Sequence, residues 1–331
     1  MHAIRLHAFG PADNLRYETL PDPTPGAGQV RIAVAAAGVH LIDTAIRKGL
    51  PGPYPVPELP TVPGREVAGT IDAVGAEVDP CWVGKQVVAH LGMAPGGYAE
   101  LAVTEVARLH EIPSGLEPAE AVAMIGTGRT TMGMLQFTEL GPDSVVIVTA
   151  AAGGIGTLLV QYAKNAGAIV IGLAGGAAKV ELVQRNGADL AVDYLPADWP
   201  EKVRGFLADR RASVLFDSVG GEIARAAIDL LGKGGQHLVF GASGQSPKDA
   251  AALTLSAAEL AERGITSEFV LGPPMLQRAG GDVRILEDRA MAEAAAGRLR
   301  PAVQRFPLAD AATAHHALET RGTTGKVVLI P

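Results

Sequence analysis

Over the first third of the chain, apolar positions fall in short runs that each close on a glycine: 29–36 (QVRIAVAA) before Gly38, 67–74 before Gly75, and 86–90 before Leu91-Gly92. Runs of this length, bounded by turn residues, predict short strands, and their succession predicts an antiparallel, barrel-like domain. The stretch 51–63 (PGPYPVPELPTVP) excludes a helix, because proline lacks an amide donor and fixes φ. An extended loop is expected there, and loops of this kind often line sites.

After Gly141-Pro142-Asp143 the period changes. The apolar run 145–148 leads through small residues into Gly153-Gly154-Ile155-Gly156, and a helical pattern follows over 157–166. Further strands are predicted at 169–173, 190–192, 214–216, 237–240 and 266–271, with a helix over 178–186 stopped by Gly187. Such alternation demands crossovers, hence parallel strands with helices on both faces. Helices over 282–296 and 310–319 and an apolar end, 326–330, exceed what that sheet needs and are expected to return to the first domain. The fold class is therefore α/β. A Rossmann-type doubly wound parallel sheet is expected over 122–271, beside a discontinuous β-rich domain over 1–121 and 272–331.

Composition narrows the functional classes. At 331 residues two domains are expected, and no apolar run reaches the roughly 18 residues that would span a bilayer. The first ten residues carry no signal-peptide core, so a cytoplasmic location is expected, with no membrane partner. A net charge of −7 without a Lys/Arg block argues against nucleic acid as a partner. The single cysteine, Cys81, excludes an internal disulfide framework and a Cys-rich zinc lobe, and is expected in the core.

A strand, a glycine turn and a helix form a ready phosphate site, because the first helical amides are left free. Gly153, Gly154, Ile155 and Gly156 are thus candidate contacts for the pyrophosphate of a dinucleotide. At the end of the next strand an Asp or Glu would bind the ribose hydroxyls of NAD. The chain instead has Leu173-Ala174-Gly175-Gly176, with Lys179 following on a helix and Tyr194 after the third strand. A missing acid beside a cation favours the 2′-phosphate of NADPH. Lys179 is either that cation or a solvated helix residue, and Tyr194 either joins it or packs.

Nicotinamide cofactors transfer hydride, which leaves open what stabilises charge on the acceptor. Zinc would need Cys and His ligands, and the eight histidines show no ligand spacing; His315 and His316 are expected on a helix surface.

The stretches AAAGVHLIDTAIRKG (35–49), YPVPELPTVPGREVAG (54–69), GGYAE (96–100), GRTT (128–131), AAAGGIG (150–156), DSVGG (217–221) and GKVVLIP (325–331), in this order, carry a resemblance. The chain resembles the zinc-free quinone oxidoreductase branch of the medium-chain dehydrogenase/reductase superfamily over almost its full length. The resemblance implies a GroES-like catalytic domain, a cleft between domains with the nicotinamide at its floor, and a homodimer formed through the sheet edge near 266–271. It implies that Thr130 holds the carboxamide, that Gly241, Ala242 and Ser243 lie along the nicotinamide half, and that Ser218 and Val219 face the cofactor. Where zinc-dependent relatives have a ligating Cys this chain has His40, and where they have a ligating His it has Arg65, a donor-only group that breaks the metal site. His40 also departs from the Asn usual in the branch and brings a group that can donate, accept or change charge. Tyr54 matches the tyrosine that overhangs the acceptor, where it either donates to a developing oxyanion or caps the loop.

The expected reaction is NADPH-dependent reduction of a quinone or an α,β-unsaturated carbonyl compound, small acceptors that spread incoming charge through their own conjugation. Two alternatives stay open. One is an enoyl-thioester reductase, with Arg47, Lys48 and Arg65 as cations for its carrier. The other is a non-catalytic NADPH-binding protein.

Overall fold

The structure, a computed structural model, describes residues 1–52, 55–93, 95–241 and 255–331. The chain divides into Met1–Thr127 with Pro301–Pro331, and Gly128–Arg300.

The first unit opens with β1 (His2–Leu6) paired antiparallel to β2 (Leu15–Thr19). The long β3 (Gln29–Val39) buries one face and leads into α1 (Leu41–Arg47). Then come β4 (Glu66–Val74), β5 (Gln86–His90), β6 (Leu101–Glu105), β7 (Leu109–Glu111) and α2 (Pro118–Val122). A π-helical turn, Ala123–Gly128, follows.

In the second unit α3 (Arg129–Met134) precedes β8 (Val145–Val148), α4 (Gly154–Asn165), β9 (Ile169–Ala174), α5 (Ala177–Arg185) and β10 (Leu190–Asp193). Next are α6 (Trp199–Leu207), β11 (Ala212–Asp217), α7 (Gly221–Ile228), β12 (Leu231–Val239), α8 (Ala257–Arg263) and β13 (Thr266–Phe269). The unit ends with α9 (Pro273–Arg278) and α10 (Val283–Ala295). Among the described residues its sheet runs β10-β9-β8-β11-β12-β13, all parallel. Val, Ile and Leu fill these strands because helices cover both faces.

The chain returns to the first unit through β14 (Val303–Pro307), α11 (Ala311–Glu319) and β15 (Lys326–Ile330). There the sheet order is β14-β15-β3-β4-β5-β7, with β6 also on β3. Its core joins Ile4, Leu6, Ile32, Val67, Ile71 and Leu329.

Three expectations are corrected. The return to the first unit begins at 301 rather than 272, because α9 and α10 pack on α3: Arg129 pairs with Glu287 at 3.0 Å, and a Cβ at Gly133 would overlap Met275. Cys81 is exposed, because it lies in a one-turn helix, Pro80–Trp82, that Asp79 caps at the surface. His315, expected at a surface, is fully buried, whereas His316 is exposed. Adjacent helical residues face different ways, and the apolar face of α11 takes His315 inward.

Candidate functional site

In the second unit Gly153 to Gly156, Gly175, Gly176, Ser218 and Val219 follow the C-terminal ends of parallel strands. β8 sits where the strand order reverses, with β9 on one side and β11 on the other, the position at which open α/β sheets bind ligands. Gly153 caps α4 in extended conformation with no side chain on the first amides. A Cβ at Gly156 would lie 2.7 Å from Ala151 Cα and overlap the Ala150 carbonyl, so only glycine lets the helix start this close to the strand. α4 begins at Gly154, three residues earlier than its apolar pattern predicts, which places Gly154, Ile155 and Gly156 in its first turn. This bare N-terminus fits a pyrophosphate.

After β9, Gly175 lies against Tyr194, whose ring atoms come within 3.3 Å of where a Cβ would be. Gly176 has φ of 90° and starts α5, which carries Lys179. A carboxylate that the sequence pattern did not flag also reaches this turn: Asp193 Oδ1 accepts from the Gly176 and Leu195 amides, both at 3.0 Å. Those amides hold its carboxyl below the usual range. Asp193, at this turn, is thus engaged by backbone amides.

After β11, Asp217 is buried and accepts from Thr149 Oγ1 and from the Val219 and Gly220 amides, while Ser218 N–H donates to Thr149 Oγ1 at 2.9 Å. Burial would raise the Asp217 carboxyl, but His237 and these donors hold it low. Gly241, after β12, lies against Ser218, whose carbonyl is 3.2 Å from a Cβ built there. Ser218, Val219 and Gly241 are therefore brought together. Thr130 lies on α3 in the same unit. Ala242, Ser243 and Tyr54 lie outside the described residues.

In the first unit, His40 is the residue before α1, and its amide donates to Asp43 Oδ2 at 2.8 Å. The same oxygen accepts from Tyr98 Oη at 3.0 Å, and Tyr98 Oη also lies 3.2 Å from His315 Nε2. Burial pushes the Tyr98 phenol up and the His315 imidazole down to about 4. Asp43 thus ties the start of α1 to Tyr98. His40 Nε2 lies 2.6 Å from Glu66 Oε1 and 2.7 Å from Lys326 Nζ. Sequence reading missed Glu66 and Lys326; the buried charges at the ends of two predicted strands were the available signal. Burial alone would raise the Glu66 carboxyl, yet the charges of His40 and Lys326 hold it well below the usual range.

Zinc does not fit this donor set. Arg65 offers only N–H groups, the His40 ring nitrogen is engaged by an ammonium and a carboxylate, and among the described residues no group of three His, Cys, Asp or Glu is placed to hold a metal. Arg47, one of the cations considered for a thioester carrier, is buried with Nη2 on Glu319 at 2.7 Å, and Lys48 reaches the same carboxylate. Nearby, a largely apolar cavity of about 260 Å³ is lined by Leu6, Ile46, Pro57, Pro63, Met93 and Arg65, among others.

Residues 26–114 match the family model described as alcohol dehydrogenase GroES-like domain, and residues 154–274 the one described as zinc-binding dehydrogenase. The chain is 33% identical over 332 residues to a quinone oxidoreductase of Pseudomonas aeruginosa, covering 99% of each. It is 31% identical over 336 residues to a 2-haloacrylate reductase of a Burkholderia species, covering 99% of this chain and 98% of the relative. The crystal structure of Escherichia coli quinone oxidoreductase complexed with NADPH matches with a TM-score of 0.83 at 28% identity, over 100% of both chains.

Proposed function

The chain belongs to the quinone oxidoreductase branch of the medium-chain dehydrogenase/reductase superfamily, and from that premise we propose that it is an NADPH-dependent, zinc-independent reductase of quinones or α,β-unsaturated carbonyl compounds. What supports this reading is the donor set of His40 and Arg65, which the resemblance puts at metal-ligand positions and whose chemistry does not suit a metal. Without a Lewis acid, the acceptor must carry incoming charge itself, as a quinone or enone does by conjugation.

Bound NADPH supplies the hydride. The α4 N-terminus with Gly153, Gly154, Ile155 and Gly156 receives the pyrophosphate, and Gly175, Gly176, Lys179 and Tyr194 receive the 2′-phosphate. Thr130, Ser218, Val219, Gly241, Ala242 and Ser243 hold the nicotinamide half. His40 or Tyr54 gives the enolate or quinol oxygen its proton. The apolar cavity supports a compact acceptor, since its volume sits just below the roughly 300–1,000 Å³ typical of ligand pockets. The 2-haloacrylate reductase among the relatives supports an activated C=C as the group reduced.

β13 is an edge strand with Phe269 58% exposed. That supports a homodimer in which the two edges cover each other. No helix among the described residues is long and apolar enough to cross a membrane.

NADPH oxidation measured with simple quinones, enones and crotonyl-thioesters tests the reading. Turnover of quinones or enones, preferring NADPH to NADH, is expected. Turnover of thioesters alone would move the chain to the enoyl reductases, and tight NADPH binding with no turnover would make it a binding protein.

A further inference from the structure

The last turn of α1 holds a buried guanidinium that the fold does not saturate. Arg47 is 1% exposed, and its Nη2 donates to Glu319 Oε1 at 2.7 Å. Nε and Nη1, which carry most of the group's N–H donors, are shielded from solvent and have no hydrogen-bond partner among the described residues. Buried donors of this kind are rare in folded proteins, and leaving a charged one unpaired costs more than leaving a neutral one. The counter-ion is shared as well: Lys48 Nζ reaches the same Glu319 oxygen, so one carboxylate serves two cations.

Arg47 forms part of the wall of the apolar cavity of about 260 Å³, and so does Arg65, which is 9% exposed. The cavity lies within the first unit, where Leu6, Ile46, Pro57 and Pro63 give it apolar walls. Such walls lower the local dielectric and strengthen any charge contact made inside. Two acids also border it. Asp43 Oδ2 already accepts from the His40 amide and the Tyr98 hydroxyl, and Glu58 is exposed to solvent. The cavity therefore presents two guanidinium-bearing side chains, one of them with unused buried donors, beside a largely apolar interior.

We propose that this cavity selects acceptors that carry a carboxylate, and that Arg47 is the specificity-determining residue that receives it. This rests on the reading that the cavity holds the acceptor. A carboxylate brings both the lone pairs that Nε and Nη1 lack and the charge that Glu319 divides with Lys48, in a charge-assisted contact stronger than one between neutral groups. The rest of the ligand packs on the apolar wall, and the volume limits it to a compact molecule. β-Acetylacrylate meets these requirements, with a ketone conjugated to the C=C at one end and a carboxylate at the other. In its reduction, hydride from NADPH adds to the carbon β to the ketone and the C=C electron pair moves onto the ketone oxygen. A proton from solvent at the α-carbon then restores the ketone, which leaves levulinate and NADP+.

The test compares β-acetylacrylate with its methyl ester in NADPH oxidation by wild type, Arg47→Met and Lys48→Met, and follows binding of levulinate and methyl levulinate to the arginine-labelled full chain by proton–nitrogen spectra. The ester is the intrinsically better hydride acceptor, because it carries no negative charge. Wild type should nevertheless favour the acid by at least about tenfold in kcat/KM, mainly through KM. Arg47→Met should lose that preference, and Lys48→Met, which also frees a Glu319 contact but does not border the cavity, should keep it. Levulinate, and not its ester, should shift a buried arginine Nε–H. A wild-type kcat/KM for the acid no higher than for the ester, or an unchanged preference in Arg47→Met, would overturn the proposal. Should Arg47→Met fail to fold, the wild-type preference and the levulinate spectra still decide. Wild type that binds levulinate at a buried arginine yet reduces no quinone or enone overturns the functional reading and leaves the carboxylate site standing; wild type that reduces simple enones and shows no response to the carboxylate overturns the site alone.

Discussion

Replacing Glu66 by Gln keeps the shape of the side chain and removes its charge, which isolates what the carboxylate does for Lys326. The ammonium, 4% exposed, then loses the carboxylate 2.8 Å away. Breaking a buried pair in this way costs about 3–5 kcal/mol. Deprotonation of the lysine sets the ceiling: carrying it from an ordinary pKa near ~10.4 to the neutral form at pH 7 costs about 4.6 kcal/mol. Where that ceiling operates, the folded variant binds fewer protons at position 326 than the unfolded chain, so its stability rises with pH by about 1.4 kcal/mol per unit. At pH 9 the cost falls to about 2 kcal/mol. The wild-type pair stays ionised across this window, since the Glu66 carboxyl is held low, so the difference from wild type should shrink as pH rises. Urea unfolding followed at Trp82, which packs on the core of the first unit, reads this directly once Trp199, buried in the second unit, is replaced by Phe. A cost below about 1 kcal/mol, or one equal at pH 7 and 9, would refute the reasoning.

Other sites give independent tests. Gly156→Ala sets a Cβ against the Ala150 carbonyl and Ala151 backbone and should weaken NADPH binding at least tenfold in a fluorescence titration. Lys179→Ala should cost the preference for NADPH over NADH on the order of 1.5–3 kcal/mol, roughly ten- to a hundredfold in kcat/KM. His315, neutral with a pKa lowered by burial to about 4, must take up a proton as the chain unfolds in acid. Its folded pKa is below its unfolded one, so this stability is present above about pH 6.5 and falls by about 3 kcal/mol as pH drops toward 4. His315→Gln should flatten that slope in acid titrations of unfolding. Metal analysis of the purified protein should find no stoichiometric zinc; bound zinc would overturn the reading of His40 and Arg65.

The nucleotide-binding half was legible where the pattern was local. The run 145–148 coincides with β8, and β9, β10 and β13 fall within two residues of their predicted ends, because buried parallel strands read as continuous apolar runs. α6 and α7 were not picked out individually, and β12 begins six residues before its predicted start, since Gly232, Gly234 and Gly235 dilute the apolar signal. Features that depend on distant pairing were beyond the pattern. Glu66 and Lys326 meet across 260 residues, Asp193 reaches Gly176 from the next strand, and His315 turns inward because Tyr98 offers it a partner. The resemblance named His40 and Arg65 by position, and only the side-chain geometry shows what His40 touches.

The most direct measurement of the central claim is the fate of the transferred hydrogen. Incubation of the enzyme with NADPH deuterated at C4 and a simple enone, followed by mass spectrometry and NMR of the product, should place one deuterium on the β-carbon of a saturated ketone, with the second new hydrogen drawn from solvent. Deuterium on the carbonyl carbon of an allylic alcohol, or no deuterium transfer despite NADPH binding, would contradict the account.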